Sequence, residues 1–156
     1  MDILDEKTRG RMMAAIKGRD TQPERMLRSG LHRQGFRFRL HVPGLPGRPD
    51  LAFPRRRAVI FVHGCFWHRH AGCRYTTEPA SRQTFWQAKF AANVTRDIRN
   101  NEALRSMGWR VATIWACGLK GGGTSGTLKQ VADWLRSDRA ELVWPPTPTN
   151  PGFQPD

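Results

Sequence analysis

The run Ala58–Val59–Ile60–Phe61–Val62 is apolar at every position and rich in β-branched and aromatic side chains. A strand with one wet face alternates polar and apolar residues. A run without that alternation has to be covered on both faces, so this segment reads as the centre of a sheet with helices on either side. A short strand, Asp50 to Phe53, precedes it across the turn Pro54 to Arg57. If Phe53 pairs with Ala58, Asp50 lies opposite Phe61. Because side chains alternate along a strand, Phe61 and His63 then point to the same face as Asp50. That register brings Asp50 and His63 within reach of one another.

The flanking sequence supplies the helices. Residues 5 to 17 carry Met12, Met13 and Ile16 among charges, a short helix. Thr21 with Glu24 forms a capping box, Pro23 suits a first turn, and Met26, Leu27 and Leu31 share one face before Gly35 ends the helix. The period then becomes two: Phe36, Phe38 and Leu40 alternate with Arg37, Arg39 and His41, a half-buried strand. Val42 to Pro49 is a loop, and Gly64 to about Arg82 is irregular. A long helix follows with Phe85, Trp86, Phe90, Val94, Ile98 and Leu104 as its expected buried stripe. Trp109 to Ala116 is a strand, and a Gly-rich loop leads to a last helix with Leu128, Val131, Trp134 and Leu135. The order α, α, β, β, β, α, β, α describes an α/β fold: a mixed central sheet flanked by helices, with a right-handed crossover between the third and fourth strands. A chain of 156 residues suits one core. Residues 1–144 read as a single domain, with residues 1–20 an N-terminal arm or helix. The end from 145 to 156, with five prolines, reads as a disordered tail.

Lysine and arginine total 26 against 13 acids, a net charge of +13 carried mostly by arginine. Such a field favours a polyanion, although a merely soluble basic protein from a GC-rich genome has the same balance. No apolar run approaches the ~20 residues of a membrane helix, and the N-terminus lacks the order of a signal peptide. A reducing cytoplasm is expected, where three cysteines read as metal ligands or core residues rather than as disulfides.

The densest constellation is His63–Gly64–Cys65–Phe66–Trp67–His68–Arg69–His70–Ala71–Gly72–Cys73, with Cys117 at the end of a later strand. Cys65, His70, Cys73 and Cys117 supply three thiolates and an imidazole, the donors of a closed, structural Zn²⁺ site. The plainer reading of Cys117, beside Trp115 and Ala116, is an ordinary buried thiol, but two cysteines and a histidine already clustered favour zinc. His63 and His68 are left over, flanking the place that the register gives to Asp50. A carboxylate with imidazoles at adjacent strand ends is the set that Mg²⁺-assisted phosphodiester hydrolysis requires: one holds the hard cation and another moves the proton.

Leu45–Pro46–Gly47–Arg48–Pro49–Asp50, Val59 to His68, Phe85–Trp86, Asn93–Val94, Arg96–Asp97, Gly108–Trp109–Arg110–Val111, Trp115 and Cys117 closely resemble the very-short-patch-repair endonucleases over residues 8 to 120. The resemblance implies a restriction-endonuclease-like core of the PD-(D/E)xK type. It implies a Mg²⁺-dependent hydrolase that nicks one strand 5′ to the thymine of a T·G mismatch, the lesion left by 5-methylcytosine deamination. Asp50 matches the metal-binding aspartate, His63 the active-site histidine, His68 the histidine proposed for proton transfer, and Glu24 a supporting acid. Cys65, His70, Cys73 and Cys117 match the zinc ligands, and Phe66, Trp67 and Trp86, with Met13 opposite, match the aromatic wedge. A monomeric, nucleoid-associated prokaryotic protein acting on duplex DNA, with repair-protein partners, completes the expectation.

The wedge has a physical reason, because a wobble pair stacks poorly and is cheaper to open than a matched one. Trp86 and Met13 fit equally as core positions on amphipathic helices, and the capping box is a sufficient role for Glu24. Val62 stands where family members can carry threonine, which leaves its carbonyl as a Mg²⁺ ligand but removes a hydroxyl. Two residues, Ala71 and Gly72, separate His70 from Cys73, one more than in a well-known member. Two other readings fit the same residues. A nuclease with this core could act on matched or flapped DNA, and a non-enzymatic zinc module could bind distorted DNA, but the second leaves Asp50 and His63 without a task.

Overall fold

A computed structural model describes residues 20–146. The expected first helix with Met13 and the tail from residue 147 lie outside the described residues. Within them, α1 (Gln22–Arg33) is followed by β1 (Arg39–Leu40), β2 (Leu51–Phe53), β3 (Ala58–His63), the single-turn α2 (Cys65–His68), α3 (Gln83–Ser106), β4 (Arg110–Trp115), α4 (Thr124–Arg136) and β5 (Glu141–Trp144). The strands form one five-stranded sheet in the order β1-β2-β3-β4-β5. The first three are antiparallel and the last three parallel, so the sheet is mixed as expected. Phe53 pairs with Ala58, Ala52 with Val59 and Leu51 with Ile60, the register that the turn implied.

The unbroken apolar run of β3 is buried from Ala58 to Phe61 because both faces are covered. On one face Leu51, Phe53, Ile60, Ala112 and Ile114 pack with Leu27 and Leu31 of α1 and with Val131, Trp134 and Leu135 of α4. On the other, Ala52, Val59, Phe61 and Val111 pack with Leu104 of α3. Arg110 closes the far end of the sheet. Its guanidinium donates to the carbonyls of Trp134 and Leu135 at the C-terminal end of α4, where a helix leaves carbonyls unpaired, and to Arg56 O.

Four sequence expectations change. Only Arg39–Leu40 of the expected strand 36–40 pairs, and Leu40 is exposed while Phe36 is buried. A strand of two residues at the sheet edge has no second layer to cover its outer end. The buried stripe on α3 reduces to Trp86, Phe90 and Leu104, with Phe85, Val94 and Ile98 exposed. At ~1.5 Å per residue, the 24-residue helix is about 36 Å long. In its middle the inward face is taken by Asn93 and Asp97, which reach Trp67 O and His68, so Val94 and Ile98, one residue further on in each case, face away. β4 ends at Trp115, so Cys117 sits in the 3₁₀ turn Ala116–Leu119 rather than on the strand. Finally, β5 adds a strand that the element order lacked.

Candidate active site

Two clusters of chemistry-bearing side chains are built where β3 ends. The hairpin register carries Asp50 past the start of β2 to the flank of β3, where its Oδ2 accepts a hydrogen bond from the Val62 N–H at 2.6 Å. Pairing of Leu40 with Leu51 continues one step further, so His41 meets Asp50: the His41 N–H donates to Asp50 O at 3.2 Å. His41 Nε2 then lies 2.5 Å from Glu24 Oε1 and 4.0 Å from Asp50 Oδ1. Glu24 is only 2 % exposed. The Thr21 hydroxyl does accept from the Glu24 N–H at 3.4 Å, but the Glu24 carboxylate accepts from Asp20 N at 2.9 Å, not from Thr21 as a full capping box would have it. The carboxylate faces His41 instead, which places Glu24 behind Asp50. Burial, reinforced by the charge of Glu24, raises the Asp50 carboxyl to about 7 against the pull of the Val62 N–H, His41 and His68.

Beyond β3, α2 turns His68 back over His63. Their rings stack with centroids 3.9 Å apart and planes 5° from parallel. His68 Nδ1 lies 2.6 Å from Asp97 Oδ2 on α3. A carboxylate accepts there, so Nδ1 carries the proton and Nε2 is left as the basic atom. Burial, with the neighbouring His68, depresses His63 to about 3, and Asp97 only partly offsets this, so His63 is a neutral imidazole at ordinary pH. Asp50, His63, His68 and Asp97 line one cavity of about 640 Å³, together with Val62, Arg48 and Arg96. A larger concavity of about 780 Å³ beside Phe36 and Phe53 is lined by arginines and holds neither an acid nor a histidine.

The cavity fits a hard cation. In an extended residue the N–H and C=O leave on the same edge of the strand, so the Val62 carbonyl faces Asp50 as its N–H does. That gives two oxygen donors of the kind Mg²⁺ takes, one of them a half-buried carboxylate whose charge the loss of solvent disfavours and a cation would restore. The loop approaching Asp50 is held tightly. Gly47, at φ 77°, has no room for a side chain, because a Cβ would lie 2.8 Å from Asn100 Nδ2. Arg48 is in the left-handed region at φ 48°, a strain on the order of 1 kcal/mol for a residue with a Cβ.

The second cluster joins Cys65, His70, Cys73 and Cys117, whose ligand atoms all lie within 4.8 Å of one another. Cys117 Sγ is 3.6 Å from His70 Nδ1. Zn–S near 2.3 Å and Zn–N near 2.1 Å at a tetrahedral angle require an S–N separation of about 3.6 Å, so the pair fits zinc. Hydrogen bonding from Cys117 draws the Cys65 thiol down to about 4, whereas Cys117, the donor, is pushed far up. Thr76 donates its hydroxyl to His70 O at 2.6 Å, and Arg69 ties the loop to Glu78 and Thr77 O. Trp115 links the clusters: the His70 ring stacks on it at 4.4 Å, and its edge meets His63 at 5.4 Å.

Phe66 and Trp67 stand half-buried on α2, in contact with each other at 5.1 Å and with Trp86 at 6.0 and 5.7 Å. Trp86 is inside this aromatic group, against Phe90, and Asn93 donates to Trp67 O at 3.2 Å. Comparison with known proteins bears on this arrangement. The chain is 47% identical over 120 residues, 77% of its length and 76% of the relative's, to a protein named DNA mismatch endonuclease Vsr from Escherichia coli K12.

The chain belongs to the Vsr family of DNA mismatch endonucleases.

It is an endonuclease. The Vsr family profile, described as DNA mismatch endonuclease Vsr, matches residues 1–74, which include Asp50, the histidines and three of the four cysteine-cluster residues. Similarity extends to proteins named type II nicking enzymes. V.XorIIP of Xanthomonas oryzae is 47% identical over 133 residues, 85% of this chain and 97% of the relative. V.NmeAIP of Neisseria meningitidis is 37% identical over 119 residues, 76% of this chain and 84% of the relative.

Of the residues singled out in the sequence, Asp50, Val62, His63 and His68 share the cavity, with Glu24 behind it. Cys65, His70, Cys73 and Cys117 form the second cluster, and Phe66, Trp67 and Trp86 the aromatic group. Met13 lies outside the described residues. His41 was not picked out, and Asp97 entered only among the residues of the resemblance without a role, yet each touches a site residue directly. Carrying the hairpin pairing one residue further would have found His41. Asn93 and Asp97, four apart on one helix face, were the signal for Asp97.

Proposed function

We propose that this endonuclease is Mg²⁺-dependent and nicks one strand of duplex DNA 5′ to the thymine of a T·G mismatch, starting very short patch repair of deaminated 5-methylcytosine. The observation that carries the reading is the meeting of Asp50, Val62, His63 and the His68–Asp97 pair in one cavity beside the Phe66–Trp67 aromatic step. The relatives' names supply DNA, mismatch and nicking. The restriction-endonuclease-like core, with Asp50 as its aspartate, belongs to the same reading.

Asp50 and the Val62 carbonyl would hold Mg²⁺, with Glu24 and His41 bracing the carboxylate from behind. What such a cation would supply is charge against that building on the attacked phosphate and polarisation of the water. Water adds to phosphorus and the P–O3′ bond breaks. His68 Nε2 takes the water's proton while Asp97 keeps the ring in the tautomer that can accept it. The leaving oxygen acquires a proton from solvent, so the products carry a 3′-hydroxyl and a 5′-phosphate. Neutral His63, stacked flat on His68, fixes the plane of that ring.

Phe66 and Trp67 enter the stack at the mismatch, with Trp86 supporting them from within and Met13 opposite. A T·G pair yields first because it is poorly stacked, and base-on-aromatic contacts recover ~1–3 kcal/mol per base. Zn²⁺ on Cys65, His70, Cys73 and Cys117 has no open position, so it stiffens the loop that carries the wedge and His68 rather than joining the reaction. On this reading Asp50→Ala and His68→Ala lose nicking of a T·G duplex yet still bind it. Undiminished nicking by Asp50→Ala contradicts the metal assignment.

A further inference from the structure

Two arginines line the active-site cavity without a task in the chemistry above, Arg48 on the loop before Asp50 and Arg96 on α3. Among the described residues, neither is neutralised. Asp97, next in sequence to Arg96, is taken by His68 at 2.6 Å, and Arg96 donates only to the Asn93 side chain at 3.2 Å. Among the described residues, the Arg48 guanidinium has neither an ion pair nor a hydrogen-bond partner.

Gly47 packs on the Asn100 side chain so closely that a Cβ there would lie 2.8 Å from Nδ2 and 3.1 Å from Cβ of Asn100. Asn100 is one helical turn from Arg96 on the same face of α3. The contact that seats the loop therefore puts Arg48, its backbone at φ 48°, on the wall of the same cavity as Arg96. The cavity lining contains Asp50 and Asp97 but no lysine, which leaves these two guanidiniums as its permanently charged cations. A substrate phosphate entering between those carboxylates needs positive charge at the non-bridging oxygens, and a planar fork of donors matches them.

We infer that Arg48 and Arg96 grip the non-bridging oxygens of the phosphodiester that is cleaved and hold the charge that grows there as water adds and the P–O3′ bond breaks. This rests on the nicking reaction proposed above. The alternative is a pair of solvated arginines that contribute only to the general attraction of DNA.

The two are separated by single-turnover nicking of an end-labelled duplex with one T·G mismatch, at saturating protein and with Mg²⁺. Arg48→Ala and Arg96→Ala are each expected to lower the saturated rate by ~10²-fold or more. Binding to the uncut duplex should fall only by the loss of one phosphate contact. Arg48→Lys, which keeps the charge but not the fork, should fall in between, and added guanidinium should restore part of the Arg48→Ala rate without changing the wild type. If Arg48→Ala fails to fold, Arg96→Ala and Arg48→Lys still decide. Saturated rates equal to wild type in the variants overturn the inference while leaving the nicking reaction in place. A wild-type protein that leaves the mismatched duplex intact overturns both.

Discussion

The Asp50 carboxylate is tied to the backbone of β3 by the Val62 N–H at 2.6 Å, so the carboxylate and the Val62 carbonyl sit on one strand edge as a ready-made pair of oxygen donors. Asp50→Asn keeps an acceptor for that N–H and removes only the charge. Nicking is expected to fall by at least ~10²-fold, with mismatch binding retained. Mg²⁺ should raise the melting temperature of the wild type but not of the variant, read by calorimetry with and without the cation.

His63 gives a pH signature. Its folded value, about 3, lies below its ordinary 6.5. The unfolded chain therefore binds more protons than the folded one between those values, and stability is lost as pH falls through that window. The slope from this group approaches about 1.4 kcal/mol per pH unit there and vanishes above pH 6.5. Asp50, raised from 3.8 to about 7, adds the opposite slope over much of that window, so the test is the difference between proteins. The stability of wild type minus that of His63→Gln, which cannot charge, should fall as pH falls from 6.5 to 3 in denaturant melts. A difference that does not change with pH would show that His63 is not buried neutral.

How much of this was readable in advance follows from where contacts lie along the chain. The Phe53–Ala58 register was read correctly because one tight turn fixes it, and that register carries Asp50 and His63 to one cavity. Asp97 reaches His68 from a helix 29 residues away, and His41 reaches Glu24 across 17. Such contacts follow from packing, which periodicity does not encode. Glu141–Trp144, four residues with one charged and one buried, carries too little pattern to announce a strand. The exposed Val94 and Ile98 show the converse, an apolar stripe written in the sequence while the polar Asn93 and Asp97 beside them take the inward face of the helix.

The cysteine cluster predicts a metal and a consequence. Protein purified without added zinc should contain about one zinc per chain by elemental analysis. Cys117→Ser should lower both metal content and melting temperature, because the loop loses its tie to the turn after β4. Activity should fall with them, since His70 stacks on Trp115 and Trp115 abuts His63.

Phe66 and Trp67 are the half-buried tip of the aromatic group. Replacing both by alanine removes the stacking surface, worth ~1–3 kcal/mol per base. The expected result is binding to a T·G duplex weakened by ~10-fold or more. Binding to matched DNA, held by phosphate contacts, should change little in a competition assay.

The most direct measurement incubates the purified protein and Mg²⁺ with matched and T·G duplexes labelled separately on each strand. The account predicts one cut, in the thymine strand, 5′ to the mismatched base, with the other strand and the matched duplex intact. Equal cutting of the matched duplex, or cleavage of both strands, would contradict it.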